Sequence, residues 1–149
     1  WLHGGHLLVN GKKMSKSVGN VVYPSDIVEK GFNGAELRFF LIYGAYREEL
    51  NFTFEGLAEA RQRLERMRCM IEDLQETKPT SHSEVKTATS KLASDFEAHM
   101  NNNLDIKGAF DSLHQKVEKI SLHKPLSAKE LENVMSDLRR VDTVLQCIF

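Results

Sequence analysis

Cysteine, proline and tryptophan are scarce in this sequence, with two, three and one among 149 residues. Cys69 and Cys147 stand far apart and form no C-x-x-C pair, which argues against a disulfide framework and against a structural zinc site. A reducing, cytoplasmic setting follows. A dominant charge is also lacking: 20 Lys and Arg against 21 Asp and Glu leave a net charge of -1. That balance does not suit a general polyanion binder, so no DNA partner is expected and any nucleic-acid contact must be local. No apolar run approaches the roughly 20 residues that span a bilayer, and the N-terminus has no charged segment leading into an apolar signal core. Neither a membrane nor export is indicated. The first residue is Trp1, not Met, and the chain enters at once into Leu-His-Gly-Gly-His, which reads as a fragment or processed piece of a longer protein.

What is present suffices for one ordinary core, since 41% of residues are hydrophobic. Residues 6–13 hold a short apolar run closed by Asn10-Gly11, a tight-turn dipeptide of the hairpin kind, so a strand turning into lysines is expected. Ser25 is the expected N-cap of a short helix, and Gly31 falls where a helix C-terminus favours positive φ. Asn33 and Glu36 have capping-box spacing, followed by Leu37, Phe40 and Leu41 at helical intervals. A longer helix is predicted from near Thr53, with Leu57, Ala60, Leu64, Met67, Ile71 and Leu74 on one face.

Residues 77–91 are rich in Thr, Ser and Lys around Pro79 and read as a flexible linker. Three further helical patterns follow: Leu92, Phe96 and Met100; Ile106, Phe110, Leu113, Val117 and Ile120; and Leu131, Val134, Leu138, Val141, Leu145 and Ile148. Ser127 and Glu130 form a capping box at the head of the last. The expected fold is mainly α, a strand, a loop and a helix pair over residues 1–53 leading into an antiparallel helical bundle over 54–149.

The chemistry concentrates in Lys13-Met14-Ser15-Lys16-Ser17-Val18-Gly19-Asn20. Two ammonium groups three residues apart, with hydroxyls and a glycine among them, can bring charge and hydrogen-bond donors to phosphate oxygens together. A lysine is a mobile point charge, suited to an anion whose charge grows during reaction. By composition alone, most such loops are merely solvated.

Lys13-Met14-Ser15-Lys16-Ser17 matches the KMSKS signature of class I aminoacyl-tRNA synthetases without a substitution. Around it, Trp1-Leu2-His3, Asn10-Gly11-Lys12, Leu37 to Leu41, Ala45-Tyr46-Arg47 and Leu50 to Thr53 resemble the corresponding segments of cysteinyl-tRNA synthetases. Phe96 to Asn103 with Ala109, and Leu138-Arg139-Arg140-Val141 with Val144-Leu145, resemble that family's helical domain.

The resemblance implies the C-terminal part of such a ligase: a KMSKS loop and stem-contact segment at 1–53 and an anticodon-binding-like bundle at 54–149. It implies ATP with Mg2+ as the nucleotide, contacted by Lys13, Met14, Ser15, Lys16 and Ser17, with Lys16 as the catalytic lysine. It implies a cysteine-specific tRNA as partner, with Arg38 and Arg47 as candidate stem contacts. Zinc is expected only in a catalytic domain beyond this chain, and the chain alone is expected to lack aminoacylation activity. Two alternatives stay open: a cysteine ligase of the mycothiol type, whose acceptor is an amino sugar, and a non-catalytic paralogue that binds tRNA or protein.

His3-Gly4-Gly5-His6 has the outer histidines of the HIGH motif but lies too near Lys13 and leads into a strand, not a helix, so it is not read as that motif. As an H-x-x-H pair it lacks a neighbouring carboxylate or cysteine and reads as surface or packing histidines. Arg61, Arg63, Arg66 and Arg68 spread around a helix among Glu59 and Glu65 and read as a solvated face. The spacing of Phe39, Phe40, Tyr43 and Tyr46 favours packing over base stacking.

Overall fold

The computed structural model describes residues 3–80, 91–122 and 125–149. Of the linker expected at 77–91, residues 81–90 lie outside the described residues, as do Trp1 and Leu2. The chain is mainly α and divides into two compact units, residues 1–64 and 65–149.

In the first unit, β1 (Leu7–Val9) turns into β2 (Lys12–Lys13), followed by α1 (Pro24–Glu29), α2 (Gly34–Ile42), β3 (Leu50–Phe52) and the first part of α3 (Phe54–Glu76). The three strands form one sheet in the order β2-β1-β3, with β1 antiparallel to β2 and parallel to β3. The cap of α1 differs from expectation. Pro24 occupies the first turn, where a fixed φ suits the helix and no amide is needed, so the N-cap moves from Ser25 to Tyr23. The Tyr23 amide donates to Asp26 Oδ2 at 2.8 Å. Gly31 takes the expected positive φ, +79°.

At α2 the capping box forms both ways: Glu36 N–H donates to Asn33 Oδ1 at 3.0 Å, and Asn33 N–H to Glu36 Oε2 at 2.8 Å. Glu36 is only 3% exposed. Its charge is tolerated because Arg61 Nε on α3 donates to its other oxygen at 2.8 Å. The Arg61 guanidinium also reaches the Gly31 carbonyl and lies 4.5 Å from the Phe32 ring centroid. Arg61 thus ties the α1–α2 corner to α3, which is a structural task and not that of a solvated face. The buried Phe40 and Phe52 rings meet edge to face at 5.4 Å, fastening β3 to α2.

The second unit holds the rest of α3 with α4 (Leu92–Asn101), α5 (Ile106–Leu122) and α6 (Ala128–Leu145). α4 packs on both α5 and α6. The predicted faces are buried at Met67, Ile71 and Leu74; Leu92 and Phe96; Phe110, Leu113, Val117 and Ile120; and Val134, Leu138, Val141 and Leu145, while Met100, Ile106 and Leu131, expected on the same faces, are half-buried. Each large side chain taken from water contributes about 1.5–3 kcal/mol before entropy is counted. Ser127 caps α6 as expected, its Oγ accepting from Glu130 N–H while Glu130 Oε2 accepts from Ser127 N–H at 2.9 Å.

Ile148 is buried too, but beyond the helix, because Gln146 turns left-handed at φ 53°. There Asp142 Oδ1 accepts the Cys147 and Ile148 amides at 2.9 and 2.8 Å. Arg68 donates to the carbonyls of the same two residues, at 2.7 and 2.9 Å. Between α4 and α5, Asp105 accepts the Gly108 amide at 2.9 Å and pairs with His99 Nδ1 at 2.9 Å.

Candidate functional site

The lysine loop hangs from a turn that the sequence dictates. Asn10 and Gly11 both take positive φ, 51° and 75°, as a two-residue hairpin turn of matching twist requires. The pairs Leu8↔Lys13 and Val9↔Lys12 set the hairpin register, while Leu7↔Leu50 and Val9↔Phe52 bolt its inner strand to β3. Across that junction Asn10 N–H donates to the Phe52 carbonyl at 3.1 Å, and Gly11 N–H to Asn51 Oδ1 at 2.7 Å. Buried Val9 anchors the centre of the sheet.

Upstream, Gly5 N–H donates to the Tyr46 carbonyl at 2.7 Å. A Cβ on Gly5 would fall 1.9 Å from the Glu48 carbonyl oxygen, so only glycine fits this close backbone approach. His3-Gly4-Gly5-His6 is therefore a backbone-packing feature leading into β1, with both histidines exposed. Among the described residues no group of three His, Cys, Asp or Glu could hold a metal ion.

After β2 the chain makes a closed loop whose ends one side chain joins. The Asn20 carboxamide accepts the Ser15 amide at 2.9 Å and donates to the Lys13 and Lys12 carbonyls at 3.2 and 3.4 Å. Inside the loop, Ser15 Oγ accepts the Val18 amide at 3.3 Å and lies 3.3 Å from Ser17 Oγ. Gly19, at φ 71°, donates its amide to the Lys16 carbonyl at 3.2 Å. Met14 and Ser15 are half-buried; Lys13, Lys16 and Ser17 are exposed.

Neither Lys13 nor Lys16 has an ion-pair partner among the described residues, in contrast to Lys107 and Lys116, which pair with Asp111 and Asp95. The two ammonium groups are thus carried on a hydrogen-bonded loop, and no carboxylate of the described residues neutralises them. Asn20 was quoted in the motif without a role. The one signal for it in the sequence is that it closes the motif with a carboxamide, whose separate oxygen and NH2 group can accept and donate at the same time.

The remaining candidates do not join this loop. Arg38 is exposed on α2. Arg47, exposed in the turn before β3, donates through Nε to Tyr46 Oη at 2.8 Å and stacks 5.3 Å from that ring's centroid. Phe39 and Phe40 are buried, and Tyr43 packs 5.1 Å from Phe39, as the spacing predicted. A cavity of about 200 Å³ between α4 and α6 is lined by Phe96, Met100, Val141 and Val144 with the Glu97–Arg140 ion pair, and it holds no nucleophile beside a base. No described helix is long and apolar enough to cross a membrane.

Comparison with known proteins bears on the same loop. Residues 1–62 match the family described as tRNA synthetases class I (C) catalytic domain. The chain is 38% identical to the cysteine–tRNA ligase of Chlamydia muridarum, an alignment covering 97% of this chain and 34% of the relative. It is 37% identical to the cysteine–tRNA ligase of Chlamydia abortus, over 99% of this chain and 32% of that protein. With the cysteine–tRNA ligase of Protochlamydia amoebophila it shares 31% identity over 97% of this chain and 31% of that protein. The chain spans about a third of the length of the curated relatives it matches.

Proposed function

From the match of residues 1–62 to the class I (C) tRNA synthetase catalytic domain and the 38% identity to a cysteine–tRNA ligase, we propose that this chain belongs with the class I tRNA synthetases, in the line of the cysteine–tRNA ligases, and supplies the phosphate-contacting loop and tRNA-binding helices of an ATP-dependent cysteine ligase. In the proposed reaction a cysteine carboxylate oxygen attacks the α-phosphorus of ATP. The bond to the bridging oxygen breaks, pyrophosphate leaves and cysteinyl-adenylate remains. Negative charge builds on the leaving pyrophosphate, and a cation poised there lowers the barrier.

Lys16 is the residue for that task and Lys13 its support on the same phosphates, while Ser15 and Ser17 keep the loop in shape. The observation that carries this reading is the pair of exposed lysines, without an ion-pair partner among the described residues, on a loop closed by Asn20. Mg2+ accompanying the ATP phosphates, a zinc ion held outside this chain, and a cytoplasmic location are parts of the same proposal. So is the division of labour between a loop and stem-contact segment at 1–53 and a tRNA-binding helical part at 54–149, with Arg38 and Arg47 as tRNA contacts.

The test is Lys16→Ala in the complete ligase. Pre-steady-state adenylate formation is expected to slow on the order of a hundredfold, about 3 kcal/mol in the barrier, with cysteine affinity little changed. The 149-residue chain alone is the blank, expected to show no cysteine-dependent ATP–pyrophosphate exchange. An adenylation rate that ignores the substitution removes Lys16 from the mechanism.

A further inference from the structure

The three bonds of the Asn20 carboxamide reach back across the loop to backbone groups ahead of and between the two lysines. Its Oδ1 takes the amide of Ser15, the residue before Lys16, at 2.9 Å. Its Nδ2 spans the carbonyls of Lys12 and Lys13 at 3.4 and 3.2 Å. One side chain therefore fixes where the backbone of Lys13 ends and that of Lys16 begins. Met14 N–H donates to the Leu7 carbonyl at 3.3 Å and carries the pairing with β1 one residue past β2, but beyond Met14 the other bonds, Ser15 Oγ to Val18 N–H and Gly19 N–H to the Lys16 carbonyl, lie within 15–19 and do not connect the loop to the sheet. No large buried side chain does so either, since Val18 is 59% exposed and Met14 only half-covered.

We propose that Asn20 is a positioning residue for the phosphate-contacting lysines: its carboxamide joins the loop to the strand so that Lys13 and Lys16 approach one polyphosphate together. The inference rests on the function proposed above. Both halves of the amide are used, so the role is specific to Asn. Aspartate keeps the acceptor for Ser15 but sets a carboxylate against two carbonyl oxygens. Alanine loses all three bonds, and glutamine is one methylene too long for the same ring. A cation displaced by about an ångström loses much of its effect on a transition state, so a loss on the order of tenfold or more is expected without any contact between Asn20 and substrate.

The experiment is a cycle in the complete ligase: Asn20→Ala, Asn20→Asp, Lys16→Ala and the double variant Asn20→Ala with Lys16→Ala. Single-turnover adenylation and cysteine and ATP affinity are measured for each. Both Asn20 variants are expected to slow adenylation at least about tenfold with cysteine affinity unchanged. In the double variant Asn20→Ala is expected to cost clearly less than it does beside an intact Lys16, because only the Lys13 ammonium is left for the latch to position. General damage to the fold would instead multiply the two losses. Integrity of the loop is read separately from the Ser15 amide in this chain, whose hydrogen exchange is expected to quicken in Asn20→Ala while the helical amides stay protected. Lys16→Ala slow with Asn20→Ala normal overturns the latch and leaves the proposed function standing. Independent, multiplying losses, or an inert Lys16→Ala, overturn the latch as well, the latter together with the function it serves.

Discussion

Residues 12–20 and residues 65–149 are held by different chemistry. In the first stretch, a carboxamide and a hydroxyl bind backbone groups at 2.9–3.4 Å, Lys13 and Lys16 project into solvent, and no large side chain is buried. In the second, apolar seams on four helical segments are withdrawn from water, with Phe110, Leu113, Val117 and Leu138 at most 2% exposed. Burial is strong, non-directional and shared among many side chains, so it fixes a fold against single losses. A few directional bonds fix a position instead, and each of them matters. A segment that must meet a charged ligand has to keep its charges wet, which leaves directional bonds as its means of order.

The comparison breaks most easily at the core. Phe110→Ala is expected to cost about 3–5 kcal/mol through lost transfer energy and a cavity, read as a lower midpoint in chemical denaturation. While the variant remains folded, the Ser15 amide should keep its wild-type environment; a shift there would show that the loop takes its order from the helical core after all.

Arginines sharpen the contrast, since the same side chain serves both purposes. Arg68→Ala leaves the Cys147 and Ile148 carbonyls without its two bonds and is expected to destabilise by about 1–3 kcal/mol. Arg47→Ala and Arg38→Ala remove exposed side chains and should leave the unfolding midpoint nearly unmoved. If they touch phosphate, each lowers by about one the slope of log binding constant against log salt for labelled tRNA. A slope that neither variant changes would withdraw both as tRNA contacts.

The smallest effect concerns pH. The Gly108 amide first, and then His99, hold the Asp105 carboxyl below its ordinary value of 3.8. The folded state thus favours the ionised form. The resulting stabilisation is present above 3.8 and is lost as pH falls from there through the lower folded value. Wild type should lose more thermal stability than Asp105→Asn between about pH 5 and pH 2, by a modest margin because the side chain is 41% exposed and water screens it. Equal acid sensitivity in both would assign the carboxylate no part in holding the α4–α5 turn.

Much of the fold was legible wherever a pattern is local. The alternating threes and fours of α3, the Asn10-Gly11 turn and the two capping boxes depend on residues within one or two turns of each other, and each formed as read. What escaped depends on partners far away in the chain. Arg61 and Arg68 looked like solvent-facing charges because Glu36 and Ile148 lie 25 and 80 residues off. The pairing of β1 with β3 was hidden for the same reason, since three-residue strands carry too little periodicity to announce themselves. Ser25 lost the cap position to Tyr23, because the proline between them takes the first helical position. At the candidate site the lysines were named from the sequence, and their roles stay proposals. Asn20 was not singled out, because a latch is visible only once the loop has closed back on its strand.

The strand order β2-β1-β3 leaves β2 at an edge of the sheet, and that edge consists of Lys12 and Lys13. Two exposed residues are too short a template for another chain to pair with, and paired ammonium groups repel a second copy brought alongside. Lys13, proposed above as a phosphate contact, would therefore also guard this edge, together with Lys12, against association with a second copy. Replacing Lys13 with an apolar residue alters both properties at once, and a Lys13 variant that loses rate has to be examined for self-association before the loss is ascribed to phosphate.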